Sequence, residues 1–330
     1  MTTEPLAAPI RLSRRRFAGG DRAFRLLVTA AAAVVVIALA ATGFFLVQES
    51  WPALRHYGFW SFLGSSRWAP SEAVATRADP NPYGIVQFVY GSIVVSAIAM
   101  VVAVPVSIAA ALFITDIGPR WARRWLASLV DLLAAIPSVV YGFWGIFAFI
   151  PAFKPVGDWL ESNLGPLPVI GIVFQGPFFG VSYLVAGLVL SIMVLPIITA
   201  LCREVFLQVP RGEKEGAYAL GATRWEVLST IVVARSWSGI FGASVLGFGR
   251  AIGETIAVTM VIGNNVLSIN WSIFAQGATL PTVIANEFTE SVEPFHLEAL
   301  FVVSMWLLII TFLVNVAGRA VVARAARNVR

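Results

Sequence analysis

Six stretches of this chain are apolar over membrane-spanning length, and no other feature restricts its fold as much. A helix needs about 20 mostly apolar residues to cross the hydrocarbon core of a bilayer. The runs cover residues 26–47, 85–115, 129–150 and 181–201, a part of 231–262, and 297–322. Lipid offers backbone N–H and C=O groups no partner, so each run must satisfy its own hydrogen bonds as a helix. The expectation is an all-α integral membrane protein. Pro105, Pro137 and Pro196 lie inside the second, third and fourth runs and are expected to kink those helices.

Composition agrees. Hydrophobic residues make up 58% of the chain and charged residues 12%, against about 45–50% and about 25% in soluble domains. A lone cysteine, Cys202, excludes an intrachain disulfide. His56 and His296 are far apart and lack HExxH spacing, which argues against a zinc hydrolase.

The charges set the topology. Eighteen of the 23 Lys and Arg fall in the N-terminal arm, after runs two and four, and in the C-terminal tail. Arg55, Arg67, Arg77 and Lys154 fall in the other loops. Positive loops stay inside, so both termini are expected in the cytoplasm. The net charge of +5 reflects this bias, and nucleic acid is not expected as a partner. "SRRRFAGG" before an apolar run, with "ALA" at 38–40, has some character of a secretory signal. The run continues to residue 47, so a retained anchor is expected.

The resulting layout is a basic arm (1–25), a first span (26–47), an external loop (48–84), a core with the other five spans (85–323) and a tail (324–330). The loops 151–180 and 264–295 are expected outside, the second lying at the membrane interface.

Residues 208–226, "QVPRGEKEGAYALGATRWE", separate spans four and five. Pro210 suits the start of a helix. Glu213 and Glu215 suit its positive N-terminal end, and Gly221 a left-handed cap. Thr223 and Glu226 have capping-box spacing. The reading is a short helix, a glycine turn and a new helix leading into the bilayer. Periodicity alone leaves both a surface loop and a docking helix open.

"EGAYALGATRWEVLSTI" resembles the EAA loop of ABC-importer permeases: Glu215, Gly216 and Ala217 match its start, Gly221 its glycine and Ile231 its isoleucine. Val233-Ala234 stands where that pattern has Leu-Pro. The stretches "LLAAIPSVVYGFWGI" (132–146) and "GFGRAIGETIAVTMVIGN" (247–264) resemble the PstC-type permeases of bacterial phosphate importers. The resemblance implies a type I permease fold in a bacterial cell membrane, with Glu215, Gly216, Ala217, Leu220 and Gly221 on the coupling helix. It also implies a second, PstA-type permease, an ATPase dimer of PstB type and an external phosphate-binding protein of PstS type. ATP and Mg would be bound by the ATPase, with no cofactor on this chain. A Walker A loop needs a lysine after glycine, whereas Lys154 follows Phe153 and Lys214 follows Glu213.

Arg250 and Glu254 are the charges inside a membrane-length run, each costing about 2.5–3.5 kcal/mol at a helix centre. On a continuous helix they would share a face with Ala243, Gly247, Ala257 and Val261. Gly249 and Gly253 form a small-xxx-small pair suited to close helix packing. From chemistry alone, the pair either holds an interface or serves a cargo in transit. The resemblance favours transit, with Arg250 offering a fork of N–H donors to phosphate and Glu254 positioning it. Tyr141, Trp144 and Phe147 are expected to pack the bundle core. Other functions are a permease for molybdate or sulfate, a secondary carrier, or an intramembrane enzyme. The absence of a duplicated half and of any recognisable catalytic motif disfavours the last two.

Overall fold

The computed structural model describes residues 18–70, 82–168, 170–267, 269–293 and 295–328. Arg11, Arg14, Arg15, Arg16 and Arg77, and the side chains of the 324–330 tail, lie outside the described residues. The chain divides into two compact units, Met1–Gln48 and Glu49–Arg330. The first unit, where described, is the opening part of helix α1 (Ala18–Tyr57). Among the described residues no strand occurs beyond two isolated bridges, Trp68–Tyr83 and Gly263–Gly277.

Among the described residues, six helical segments are long and apolar enough to cross a membrane: Gly20–Tyr57, Val86–Ile117, Ser138–Leu164, Tyr183–Leu207, Arg224–Ile252 and His296–Ala323. In the second unit, α2 (Phe59–Gly64) precedes α3 (Val86–Leu112), which ends in a π-turn at Phe113–Ile117. Next come α4 (Arg120–Ala135), α5 (Ser138–Trp144) and α6 (Ile150–Leu164), the last two joined by a π-turn. The long helix α7 (Tyr183–Leu207) is followed by α8 (Arg211–Ala219), α9 (Arg224–Glu226), a π-stretch at Val227–Val233 and α10 (Ala234–Ile252). Then follow α11 (Ile256–Ile262), α12 (Leu280–Glu287) and α13 (His296–Asn328).

Helix α7 is the axis of the second unit: 61% of its apolar window is buried, against at most 28% in any other span. It carries apolar residues on nearly every face, as a surrounded helix must. Val189, Leu190, Met193, Val194, Ile198 and Phe206 all lie in the core. Pro196 is accommodated within α7. The Ser107 hydroxyl on α3 donates to the carbonyl of the preceding residue, Leu195, at 3.0 Å. Gly247 lets α10 press against α7, since a Cβ there would lie 2.7 Å from Ile198.

Four expectations need correction. The third span is Ser138–Leu164, not 129–150. Ile136 and Pro137 are extended, because a residue before proline is driven out of the α region. Upstream, α4 is a separate helix with Trp121, Trp125 and Leu132 exposed and Ala122 and Val130 buried. The outer loop expected at 151–180 is therefore shorter, because α6 reaches Leu164 and takes in Pro151 and Pro155. The segment 264–295 does not lie wholly at the interface either: Phe274, Ala278, Leu280 and Val283 are buried within the unit. Of the three aromatic residues expected in the core, Tyr141 is buried and donates to the Leu133 carbonyl at 2.9 Å. Trp144 and Phe147 are exposed.

Candidate functional site

The loop between α7 and α10 forms as its residues dictate. Pro210 caps α8, and Leu220 and Gly221 end it. Gly221 has φ of +89°, a left-handed conformation that glycine adopts without a Cβ penalty. The Thr223 hydroxyl accepts from the Glu226 N–H, and the Glu226 carboxylate accepts from the Thr223 N–H at 2.7 Å. This reciprocal box satisfies donors that a helix start leaves open. The Leu-Pro missing after Ile231 has a structural counterpart: the helix runs unbroken through Val233-Ala234 into α10.

The surface of this loop is uncovered. Leu220 is 92% exposed and Trp225 75%. Glu215, Gly216 and Gly221 are exposed as well, and Ala217 is half-buried. A Cβ on Gly216 or Gly221 would meet nothing within 4 Å. Polar contacts tie the loop to the spans. Lys214 Nζ lies 2.7 Å from Asp116 Oδ1 at the end of α3, and Glu213 lies 3.4 Å from Arg235 on α10. The Arg123 guanidinium donates to the carbonyls of Thr115, Asp116 and Gly118, so the acidic partner of Lys214 is held from both sides. Sequence reasoning missed this contact; Asp116, a lone carboxylate at the end of an apolar run, was the available signal.

The Arg–Glu stretch departs from expectation. The helix stops at Ile252, Gly253 caps it at φ −87° and ψ 0°, and α11 begins at Ile256. Arg250 therefore ends a helix, Glu254 lies within the break that follows it, and the two do not share one helix face. Arg250 sits in the last turn of α10, where its charge favours the negative end of the helix. It is exposed, Glu254 is half-exposed, and neither forms an ion pair among the described residues. Ala243, Gly247, Ala257 and Val261 are buried, so the small residues of the expected face pack the core. Gly249 approaches Asn315 of α13, while a Cβ on Gly253 would meet only backbone oxygens, none closer than 3.7 Å. The loop after α7 and Arg250 are at opposite ends of span five, roughly 40 Å of helix apart at 1.5 Å per residue.

A second polar cluster, unforeseen in the sequence, closes the N-terminal end of α13. His296 is 4% exposed, with Nε2 2.9 Å from Glu287 and Nδ1 3.3 Å from Glu293. Trp68 Nε1 donates to the same Glu287 oxygen at 2.7 Å. A hydrogen bond from its own backbone, aided by His296, holds the Glu293 carboxyl below its ordinary range. Burial pushes the Tyr83 phenol, stacked on His296, well above its own. The cluster anchors the segment around Trp68 and Tyr83.

Spanning helices with an uncovered helical loop between two of them define a polytopic membrane protein. Residues 103–327 match the family of binding-protein-dependent transport system inner membrane components, and the chain belongs to that family. The phosphate transport system permease protein PstC of Xylella fastidiosa (strain 9a5c) is 44% identical over 95% of this chain and 94% of its own length. The PstC of Mesorhizobium japonicum is 39% identical, over 94% and 92%. The protein named PstC 2 of Mycobacterium tuberculosis is 37% identical, over 97% and 98%. Among solved structures, a bacterial alginate ABC transporter in complex with its pentasaccharide-bound periplasmic protein superposes with a TM-score of 0.57 at 14% identity, over 92% of this chain and 96% of that one. An inward-facing MetNI methionine transporter gives 0.50 at 16% identity, over 73% and 94%. At such identities the likeness concerns the fold.

Proposed function

We infer that this chain is one permease subunit of an ATP-driven importer that moves inorganic phosphate into the cell by alternating access. The observation that carries this reading is near full-length identity, up to 44%, with permeases of phosphate transport systems. The uncovered α8 supports it. Small residues, an exposed leucine and an exposed tryptophan suit a helix that docks in a groove of another protein. That partner is an ATPase dimer, which binds ATP and Mg, since this chain has no glycine-preceded lysine. A homologous PstA-type permease completes the pore, and a phosphate-binding protein delivers cargo from outside. The arginine-rich side, with both termini, faces the cytoplasm.

ATP-driven closure of the ATPases moves α8. Its ties from Lys214 to Asp116 and from Glu213 to Arg235 pass that motion to α3 and α10. Arg250, at the far end of α10, meets the anion with a planar fork of donors suited to phosphate oxygens. Glu254, within the break, limits how tightly the anion is held. Gly253, between them, gives the pair freedom to re-orient as the pore turns.

Uptake of radiolabelled phosphate at low micromolar concentration, in cells lacking this gene and with it restored, tests the reading. Uptake is expected to vanish and return, with arsenate competing and sulfate and molybdate not. Unchanged phosphate uptake in cells without another importer, or competition by sulfate, refutes phosphate as the cargo.

A further inference from the structure

Between two external loops lies a cavity of about 280 Å³, lined by Gln175, Pro177, Asn265, Asn270, Phe274 and Gln276 among others. No charged residue lines it. Ile273 N–H donates to the Val173 carbonyl at 2.9 Å and joins the two loops, and Gly277 N–H donates to the Ile262 carbonyl at 3.2 Å and closes the second loop on itself. Phe274, 2% exposed, belongs to the core beneath. The cavity is thus a built part of the second unit.

Its four carboxamides are not equivalent. Asn265 Oδ1 accepts the Leu267 N–H and Asn270 Oδ1 the Ser272 N–H, each at 3.0 Å. These bonds settle which way each amide points and leave both NH₂ groups as donors. Gln175 and Gln276 make no such bond, so each is able to turn either its oxygen or its nitrogen inward. Gln276 is held by packing, because its side chain covers Gly263, where a Cβ would lie 2.7 Å from it. Gly263 has φ of +90°. The cavity therefore offers two fixed donor groups and two groups able to donate or accept.

We propose that this cavity is an outer receiving site for phosphate, occupied before the anion reaches Arg250. The assignment rests on the phosphate-importer reading. Monohydrogen phosphate carries oxygens that need donors and one P–O–H that needs an acceptor, which matches this set. Fully deprotonated sulfate has nothing to offer the acceptor. Neutral amides also bind without a full opposite charge, and a site on a transport path must release what it takes. The volume admits the anion with several waters, each needing about 30 Å³. The position fits: α11, about 10 Å long at 1.5 Å per residue, starts just after Glu254 and ends just before Asn265.

The test uses the full complex in proteoliposomes, with binding protein added outside, and the variants Gln175→Glu and Gln276→Glu. Each keeps the side-chain size but sets a carboxylate against the anion. The expected result is at least a tenfold fall in phosphate uptake for each, with the binding protein docking at its wild-type affinity. The double variant Gln175→Leu/Gln276→Leu, which adds no charge, is expected to lower uptake and admit more inhibition by sulfate. Wild-type uptake in all three variants overturns the receiving site alone. Loss of binding-protein docking in step with uptake also overturns it, making the cavity a protein-docking surface. Failure of the wild-type complex to carry phosphate refutes the importer reading, and the site with it.

Discussion

Replacing Leu220 by alanine isolates the docking contact of α8. The side chain is 92% exposed, so within this chain it stabilises almost nothing. Exposed substitutions of this kind usually shift stability by less than about 0.5 kcal/mol, so the unfolding midpoint of the permease is expected to stay put. In the groove of an ATPase the same side chain loses its water. Alanine lacks three of its carbons, and at about 0.8 kcal/mol for each buried methylene equivalent the loss is about 2.4 kcal/mol. At 1.4 kcal/mol per tenfold, the dissociation constant for that subunit rises about 50-fold. The assay is titration of the detergent-solubilised permease pair with the purified ATPase, each permease loop varied separately. Leu267→Ala is the control: it is 72% exposed in the loop after α11, loses the same atoms and is expected to change nothing. An unaltered affinity for Leu220→Ala, or equal weakening by both variants, refutes α8 as the docking helix.

Other outcomes follow from the packing and the charges. Gly247→Leu drives a side chain into Ile198, and overpacking of this kind costs about 1–3 kcal/mol; the thermal midpoint of the complex should fall. Thr223→Ala removes the capping box at a cost of about 1 kcal/mol, visible as faster hydrogen exchange in residues 211–226 with the spans unaffected. Lys214→Ala cuts the tie to Asp116, so more ATP should be hydrolysed per phosphate moved; adding Asp116→Ala should change the ratio little further, since the two act through one contact. Arg250→Ala should lower uptake more than tenfold with the complex intact. Arg250→Lys, which keeps the charge but loses the planar fork, should recover only part; full uptake by the alanine variant removes Arg250 from the path.

The spans and the coupling loop were legible because their signals are local. Apolar length says where a helix crosses, and Gly221 with Thr223 and Glu226 specifies a turn and a new start within a few residues. The start of span three and the break in span five were misread for one reason. Apolarity and periodicity continue through Pro137 and through Gly253–Thr255, and the phase even matches across the second break, since Ala257 and Val261 are buried like Gly247. A pattern of burial does not report whether the backbone between its members stays helical.

What the sequence by itself determined is the class of molecule, an all-helical membrane protein, together with the turn and helix start in the loop between α7 and α10. These follow from the cost of exposing backbone to lipid and from the stereochemistry of glycine, proline and the capping residues. Only the tertiary structure decided which polar groups meet. Lys214 finds Asp116 across 98 residues and Trp68 finds Glu287 across 219, and four carboxamides from two distant loops line one cavity. Such meetings depend on how α7 gathers the other helices around it, and local spacing carries no record of that.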